Sequence, residues 1–133
     1  MLRADAFKAT RGSRMELGVT QVPTISSSAD VLVAINLFTV APENQSRLIE
    51  LLTRATESDV SRAPGFISAS LHRSRDGRKV TMYAQWRSWE HYERMRANPT
   101  SSPFLAEALT FASFEPGFYH VVRVFSPGGG SDA

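Results

Sequence analysis

Residues 66–86 read FISASLHRSRDGRKVTMYAQW, two alternating runs of strand length on either side of a turn. Asp76 and Gly77 stand at the centre of that turn, and an Asp-Gly pair is the preferred centre of a two-residue β-hairpin loop. Alternation of polar and apolar residues on both sides is typical of strands with one buried face. This stretch therefore predicts a hairpin of strands 66–74 and 79–86.

The length of the turn determines which residues share a face, because opposed residues in a sheet point to the same side. With a two-residue loop, the opposed pairs are Arg73 with Val80, Leu71 with Met82, Ala69 with Ala84, and Ile67 with Trp86. This face is largely apolar and should lie under helices. The other face is uncharged and carries Phe66, Ser68, Ser70, His72, Thr81, Tyr83 and Gln85. It suits a partner sheet and bridging water better than bulk solvent, so we expect His72 to lie at a dimer interface or to be bridged by solvent.

The segments around the hairpin predict the element order βαββαβ. Residues 31–40 read VLVAINLFTV, an apolar run that indicates a strand buried on both faces, and helical spacing of leucines predicts a helix between Pro42 and Pro64. Residues 89–97 and 103–111 predict two short helices, and residues 117–125 a last strand. This order is typical of an α+β, ferredoxin-like fold, an antiparallel sheet with helices on one face. Its bare face predicts a homodimer, in which two sheets form a dimeric α+β barrel.

Length and composition favour one folded domain. The chain has 133 residues, 42% of them hydrophobic, which is enough for one core but not for two ordinary domains. We expect a flexible arm over residues 1–30, with a potential edge strand at 15–25, the folded domain over 31–126 and a disordered tail over 127–133. The net charge of +2 gives no electrostatic case for binding nucleic acid or a membrane. The lack of an export signal and of any long apolar run predicts a soluble, cytoplasmic protein.

The run Val80-Thr81-Met82-Tyr83-Ala84-Gln85-Trp86, followed by Tyr92, resembles the antibiotic biosynthesis monooxygenase family, especially its anthrone oxygenases. The likeness extends through Pro64-Gly65-Phe66, His72, Asp76-Gly77 and Glu107-Ala108-Leu109, and it spans residues 31–126. It implies a dimeric enzyme that oxidises a polycyclic aromatic polyketide, of the anthrone or naphthacenone type, to a quinone with O2. The resemblance also implies that no flavin, haem or metal cofactor takes part, because a deprotonated anthrone can itself pass an electron to oxygen.

The resemblance makes Trp86 and Tyr92 candidate catalytic residues, since they match the family's signature Trp and Tyr. At two other positions the chain departs from the family pattern: Met82 replaces an Asn, and Ala106 replaces an Arg that some members carry. Asn36 is the third candidate, because a carboxamide within an apolar strand must find hydrogen bonds or destabilise the fold. Asn36 is a candidate replacement for the missing polar group at Met82. We expect Met82, Leu71, Ile67 and Phe104 to bind substrate.

Three alternatives to the oxygenase remain open. One is a polyketide cyclase of the same fold, which needs no oxygen, and another is a binding dimer without catalytic activity. Haem degradation is a weaker hypothesis, because the histidine of the haem-degrading relatives is missing from residues 103–109. The absence of cysteine and the spacing of His91 and His120 give no indication of a metal site.

Overall fold

The computed structural model of the protein describes residues 22–28, 30–98 and 103–129. Its strands and helices are β1 (Leu32–Val40), α1 (Gln45–Ser58), β2 (Phe66–Arg73), β3 (Lys79–Trp86), α2 (Trp89–Ala97), α3 (Pro103–Ala108) and β4 (Ala112–Tyr119). The strands form one sheet in the order β2-β3-β1-β4, and every neighbouring pair is antiparallel. The predicted ferredoxin-like α+β fold, with a second helix split in two, is confirmed. No helix within the described ranges is long and apolar enough to cross a membrane.

The core lies between the helices and one face of the sheet. Strand β1 is central, and its helix-facing residues Leu32, Ala34, Phe38 and Val40 are buried. Two groups of buried side chains meet this strand. The first is Phe38, Val40, Leu48, Leu51, Leu52, Val80 and Ala108, and the second is Leu32, Ala34, Ala84, Trp86 and Tyr92. Asn36 lies between the two groups along β1 and is the polar residue on this face of the strand.

The hairpin register is confirmed except at its open end. Arg73 pairs with Val80, Leu71 with Met82, and Ala69 with Ala84, as the turn predicts. The predicted pairing of Ile67 with Trp86 is wrong, because the register shifts between Phe66 and Ser68 and Phe66 pairs with Trp86 instead. Such an irregularity places an extra residue in one strand and turns its neighbours to the other face. The larger aromatic side chain thereby reaches the core, and Ile67 is left exposed.

The last strand begins earlier than predicted. It spans Ala112–Tyr119 instead of 117–125, and the helix before it ends at Ala108 instead of residue 111. Pro116 lies within this strand. Among the described residues β4 is an edge strand that pairs with β1, and an edge strand tolerates a residue without an N–H. Burial favours this placement, since the ring of Phe114 stacks on Phe38 with centroids 4.9 Å apart.

The predicted arm and tail lie only partly within the described residues. Residues 1–21 and 130–133 fall outside them, so most of the potential edge strand at 15–25 does too. Residues 22–25 form no strand. The segment nevertheless contacts the sheet face that carries no helices, because the Gln85 side-chain amide donates a hydrogen bond to the backbone oxygen of Thr24 at 2.9 Å.

The hairpin turn leads to a prediction about acid stability. The Asp76 carboxylate accepts hydrogen bonds from the Arg78 backbone N–H at 3.0 Å and the Ser74 hydroxyl at 2.7 Å, and Gly77 adopts a positive φ of 80°. Both hydrogen bonds hold the pKa of the Asp76 carboxyl below its ordinary value, and the bond from the Arg78 N–H has the larger effect. A lowered carboxyl pKa stabilises the fold above the unfolded-state pKa of about 3.9 and loses that effect as pH falls through the folded-state pKa.

Asp76→Asn keeps an oxygen acceptor but has no charge to lose. We therefore expect wild type to be the more stable of the two at neutral pH and the difference to shrink as pH falls below about 4. Urea unfolding of both proteins across this pH range measures the difference. A constant difference would show that the carboxylate charge does not stabilise the turn.

Candidate active site

A cavity of about 80 Å³ lies between the helix-facing side of the sheet and the three helices. Four aromatic side chains line it: Phe38, Trp86, Tyr92 and Phe114. The sequence-predicted residues Asn36 and Met82 also line this cavity, so the structure brings four of the seven predicted site residues together. Such a mostly apolar space with a few polar groups is typical of a small-molecule site.

The other three predicted site residues lie elsewhere. Ile67 is exposed because of the register shift, and Leu71 lines a shallow depression between β2 and α1 that touches the cavity residue Met82. Phe104 lies under the guanidinium of Arg54, whereas the next residue, Leu105, lines the cavity. Helical rotation decides which of two adjacent residues faces inward, and a helix as short as α3 gives too few positions to establish that rotation from the sequence.

Trp86 and Tyr92 are held by the junction between β3 and α2. Strand β3 ends at Trp86 and α2 begins at Trp89, where the Ser88 hydroxyl caps the helix by accepting a hydrogen bond from the His91 backbone N–H at 3.2 Å. The rings of Trp86 and Tyr92 meet edge to face with centroids 5.8 Å apart. They are 1% and 5% exposed, so their shared surface is withdrawn from water.

Asn36 carries the least satisfied polar atom near the cavity. Its side-chain oxygen is buried and has no hydrogen-bond partner. The residues opposite Asn36 are Met82 on β3 and Pro116 on β4, and neither side chain has an N–H or O–H to donate. An unsatisfied buried acceptor costs about 1–3 kcal/mol. The site therefore contains an acceptor that a ligand hydroxyl could satisfy, at the place where the sequence predicted a polar substitute opposite Met82.

Arg96 is a cavity residue that the sequence analysis missed. Its guanidinium donates a hydrogen bond to the Tyr92 hydroxyl at 3.2 Å and lies over the Phe114 ring, 5.6 Å from the centroid. The signal was present in the sequence, because Tyr92 and Arg96 are four residues apart on a predicted helix and such residues are neighbours on its surface. A guanidinium beside a phenol can hold an oxyanion by charge and by hydrogen bonds.

The described part of the chain places no carboxylate or imidazole in the cavity wall. His91 hydrogen-bonds to Ser88 through its ring at 2.7 Å, and His72 bonds to Ser70 on the far face of the sheet at 2.9 Å. The same residues contain no cluster of three His, Cys, Asp or Glu side chains suited to a metal ion. The site can thus orient a flat aromatic, stabilise an anion and exclude water.

Comparison with known proteins identifies the family. A model of the antibiotic biosynthesis monooxygenase family matches residues 31–107. Tetracenomycin-F1 monooxygenase of Streptomyces glaucescens is 40% identical over 102 residues, which are 77% of this chain and 91% of that protein. The monooxygenase from the gene ActVA-Orf6 of Streptomyces coelicolor, solved with nanaomycin D, has a TM-score of 0.64 and 30% identity, covering 73% of this chain and 92% of its own.

A variant of SnoaB, a cofactor-independent oxygenase from Streptomyces nogalater, has a TM-score of 0.62 and 26% identity, with coverage of 70% of this chain and 94% of its own. Fold and cavity together define the class, a small ferredoxin-like α+β protein with an aromatic-walled cavity between its sheet and helices. The chain belongs to the antibiotic biosynthesis monooxygenase family.

The unsatisfied oxygen of Asn36 leads to a prediction about stability. Asn36→Leu replaces the carboxamide with an apolar side chain of similar shape, so we expect it to raise the free energy of unfolding by roughly 1–2 kcal/mol and to weaken binding of a hydroxylated aromatic ligand. Gln85→Leu is the matched control, because the Gln85 amide is buried and bonds to Thr24 and Ser68. We expect that variant to be less stable than wild type. Urea unfolding checks both, and a destabilised Asn36→Leu would contradict the interpretation of Asn36 as unsatisfied.

Proposed function

We propose that this protein is a cofactor-independent monooxygenase that oxidises a polycyclic aromatic polyketide, of the anthrone or naphthacenone type, to a quinone with O2. The observation that carries this proposal is the cavity wall, in which an unsatisfied acceptor on Asn36 and the paired Arg96 and Tyr92 interrupt an otherwise apolar, aromatic surface. The names of the relatives support the reaction class, since they are called monooxygenases and a cofactor-independent oxygenase.

The reaction needs no electron carrier because the substrate supplies the electrons. Loss of a proton from the CH2 group of an anthrone gives an anion with charge on its ring oxygen. One electron passes from this anion to O2, and the resulting radical and superoxide combine and take up a proton to form a C–O bond in a hydroperoxide. The O–O bond then breaks as the second hydrogen leaves the carbon. The products are a quinone carbonyl and one water, so both atoms of O2 are accounted for.

The cavity residues favour the charged intermediate over the neutral substrate. In this proposal the Arg96 guanidinium and the Tyr92 hydroxyl face the developing oxyanion, and the Asn36 oxygen accepts a hydrogen bond from a substrate hydroxyl. Trp86 forms the flat wall that orients the rings. The described residues of the wall include no carboxylate or imidazole, so in this proposal the proton passes to water, which suits the acidic CH2 of an anthrone.

Oxygen dependence tests the reaction. We expect a naphthacenone or anthrone to be consumed only in air, to gain one atom of label from isotopic O2, and to need no added flavin, haem or metal. Mass spectrometry of the product measures the incorporation. Turnover under strictly anaerobic conditions would instead identify a cyclase of the same fold.

Tyr92→Phe tests the proposed role of the phenol. It removes one donor to the oxyanion with little change in packing, so kcat should fall about a hundredfold while the melting temperature changes little. Tyr119→Phe is the matched control, because Tyr119 is exposed on the far face of the sheet and does not line the cavity. Trp86→Phe should also lower turnover and keep the fold. Unchanged steady-state rates in Tyr92→Phe and Trp86→Phe would place the reaction elsewhere.

We also propose that two copies of the chain pair through the face of the sheet that no helix covers. The centre of this face is apolar, with Ile35 and Leu37 on β1 beside Tyr83 on β3. His72 and Ser70 lie on the same face, as the hairpin register predicted. If the same face of a second copy packed against this one, these side chains would be withdrawn from water.

Light scattering tests this pairing. We expect wild type to have twice the 14.7 kDa mass of one chain, and Ile35→Arg to be a folded monomer, because a buried unpaired charge opposes association. Glu43→Arg, an exposed change next to Pro42 and away from this face, should remain a dimer. A monomeric wild type at micromolar concentration would contradict the proposed pairing.

A further inference from the structure

An open groove lies beside the cavity, on the other side of two shared side chains. The groove is about 790 Å³ in volume and is lined by residues of α2 and β4. Tyr92 and Arg96 line both the groove and the cavity. These two side chains and the hydrogen bond between them therefore form a partition between the two spaces.

The cavity is too small for the rings it would have to hold. Its volume is about 80 Å³, whereas an apolar protein cavity that binds benzene measures about 150 Å³ and sites for larger ligands roughly 300 Å³ or more. A polycyclic aromatic cannot fit inside without extending past the wall. The groove is an open depression that adjoins the cavity, and the Tyr92 and Arg96 side chains line both spaces, so rings that extend past these side chains would lie in the groove.

The groove has the chemistry of an aromatic site. Trp89 and Phe118 line it, are 42% and 37% exposed, and meet edge to face with centroids 4.9 Å apart. The ring of Tyr92 stacks on Trp89 and also touches Phe118, so the aromatic surface is continuous from the groove to the partition. Exposed aromatic side chains side by side, with Glu90, Glu93 and Arg94 around them, form an apolar patch with a charged rim.

Arg96 is the part of the partition that can move. Its side chain is long and exposed, and its hydrogen bond within the described residues goes to the Tyr92 hydroxyl. Arg96 is not part of the ion pair between Arg47 and Glu107. Tyr92, by contrast, is buried among three aromatic rings and is held in place.

We propose that the groove is the outer half of the substrate site and that Trp89 sets how many fused rings the enzyme accepts. The ligand displaces Arg96 outward, its reacting ring reaches Asn36 and Trp86, and the remaining rings stack on Trp89 against Phe118. The identity of the ligand as a polycyclic aromatic rests on the proposed function. The place of the groove in binding rests on the volumes and on the shared wall.

Binding of a product-like quinone tests the groove independently of turnover. The probe is a three-ring dihydroxyanthraquinone, titrated without O2 by calorimetry. We expect Trp89→Ala to raise Kd at least tenfold, Trp89→Phe to restore most of the affinity, and Phe125→Ala to bind as wild type does, because Phe125 is exposed but lines neither space. Equal Kd values for wild type and Trp89→Ala, or no binding by wild type, would overturn the proposal.

Tryptophan fluorescence tests whether the probe binds next to Trp89, which is one of the two tryptophans of the chain. Trp86→Phe leaves Trp89 as the sole tryptophan, and we expect the bound quinone to quench its emission. Emission of Trp89 that stays unchanged at saturating probe would overturn the proposal. Binding with these properties but without aerobic turnover of any anthrone would count against the proposed function and leave the groove assignment standing.

The association rate tests the movement of Arg96. Arg96→Ala removes half of the partition, so stopped-flow quenching should show the probe entering severalfold faster than in wild type. Arg54→Ala is the matched control, because that arginine is also exposed and packs over an aromatic ring but lines neither space. An Arg96→Ala association rate no higher than that of wild type and Arg54→Ala would contradict a gate at this position.

Discussion

The hydrogen-bonded ladder between β1 and β3 positions the residues that give the cavity its character. It sets Asn36 opposite Met82 and Leu32 opposite Trp86, and it turns all four side chains toward the helices. A shift of one residue in this pairing would move every one of them to the opposite face. Because the buried residues Leu32, Ala34, Phe38 and Val40 share that face, burial of the core against the helices and placement of the site depend on the same register.

The site combines features that oppose each other energetically. Apolar walls stabilise the fold by burial, but the unsatisfied oxygen of Asn36 lowers stability and serves no packing purpose. Arg96 is exposed on one side, and its guanidinium is shared between the Tyr92 hydroxyl and the Phe114 ring. The donors on Arg96 and Tyr92 are suited to an anion that forms only when the ligand reacts, and the Asn36 oxygen is suited to a ligand hydroxyl. The protein is therefore less stable than it would be with a fully apolar cavity wall, and the destabilising group lies where the reaction is proposed to occur.

The hydrogen-bonding groups of this site also differ in origin from those that the sequence resemblance implies. That resemblance implies an amide at the position of Met82 and, in some members, a guanidinium at the position of Ala106, and the cavity has an amide on β1 and a guanidinium on α2 instead. The acceptor thus lies on β1 instead of β3, and the guanidinium lies on α2 instead of α3. Ala106 is exposed on α3 and does not line the cavity, so restoring an arginine there would not by itself place a charge in it.

The sequence by itself determined the element order, the bounds of α2, most of the hairpin register and the grouping of Asn36, Met82, Trp86 and Tyr92. These follow from alternation, turn chemistry and family motifs, which act over a few residues. Tertiary structure alone decided that Phe66 displaces Ile67, that β4 starts at Ala112, and that Arg96 faces the cavity. Each of these depends on what packs against the segment from elsewhere in the chain. Competition among side chains for one buried space is settled by three-dimensional fit, which a linear pattern does not contain.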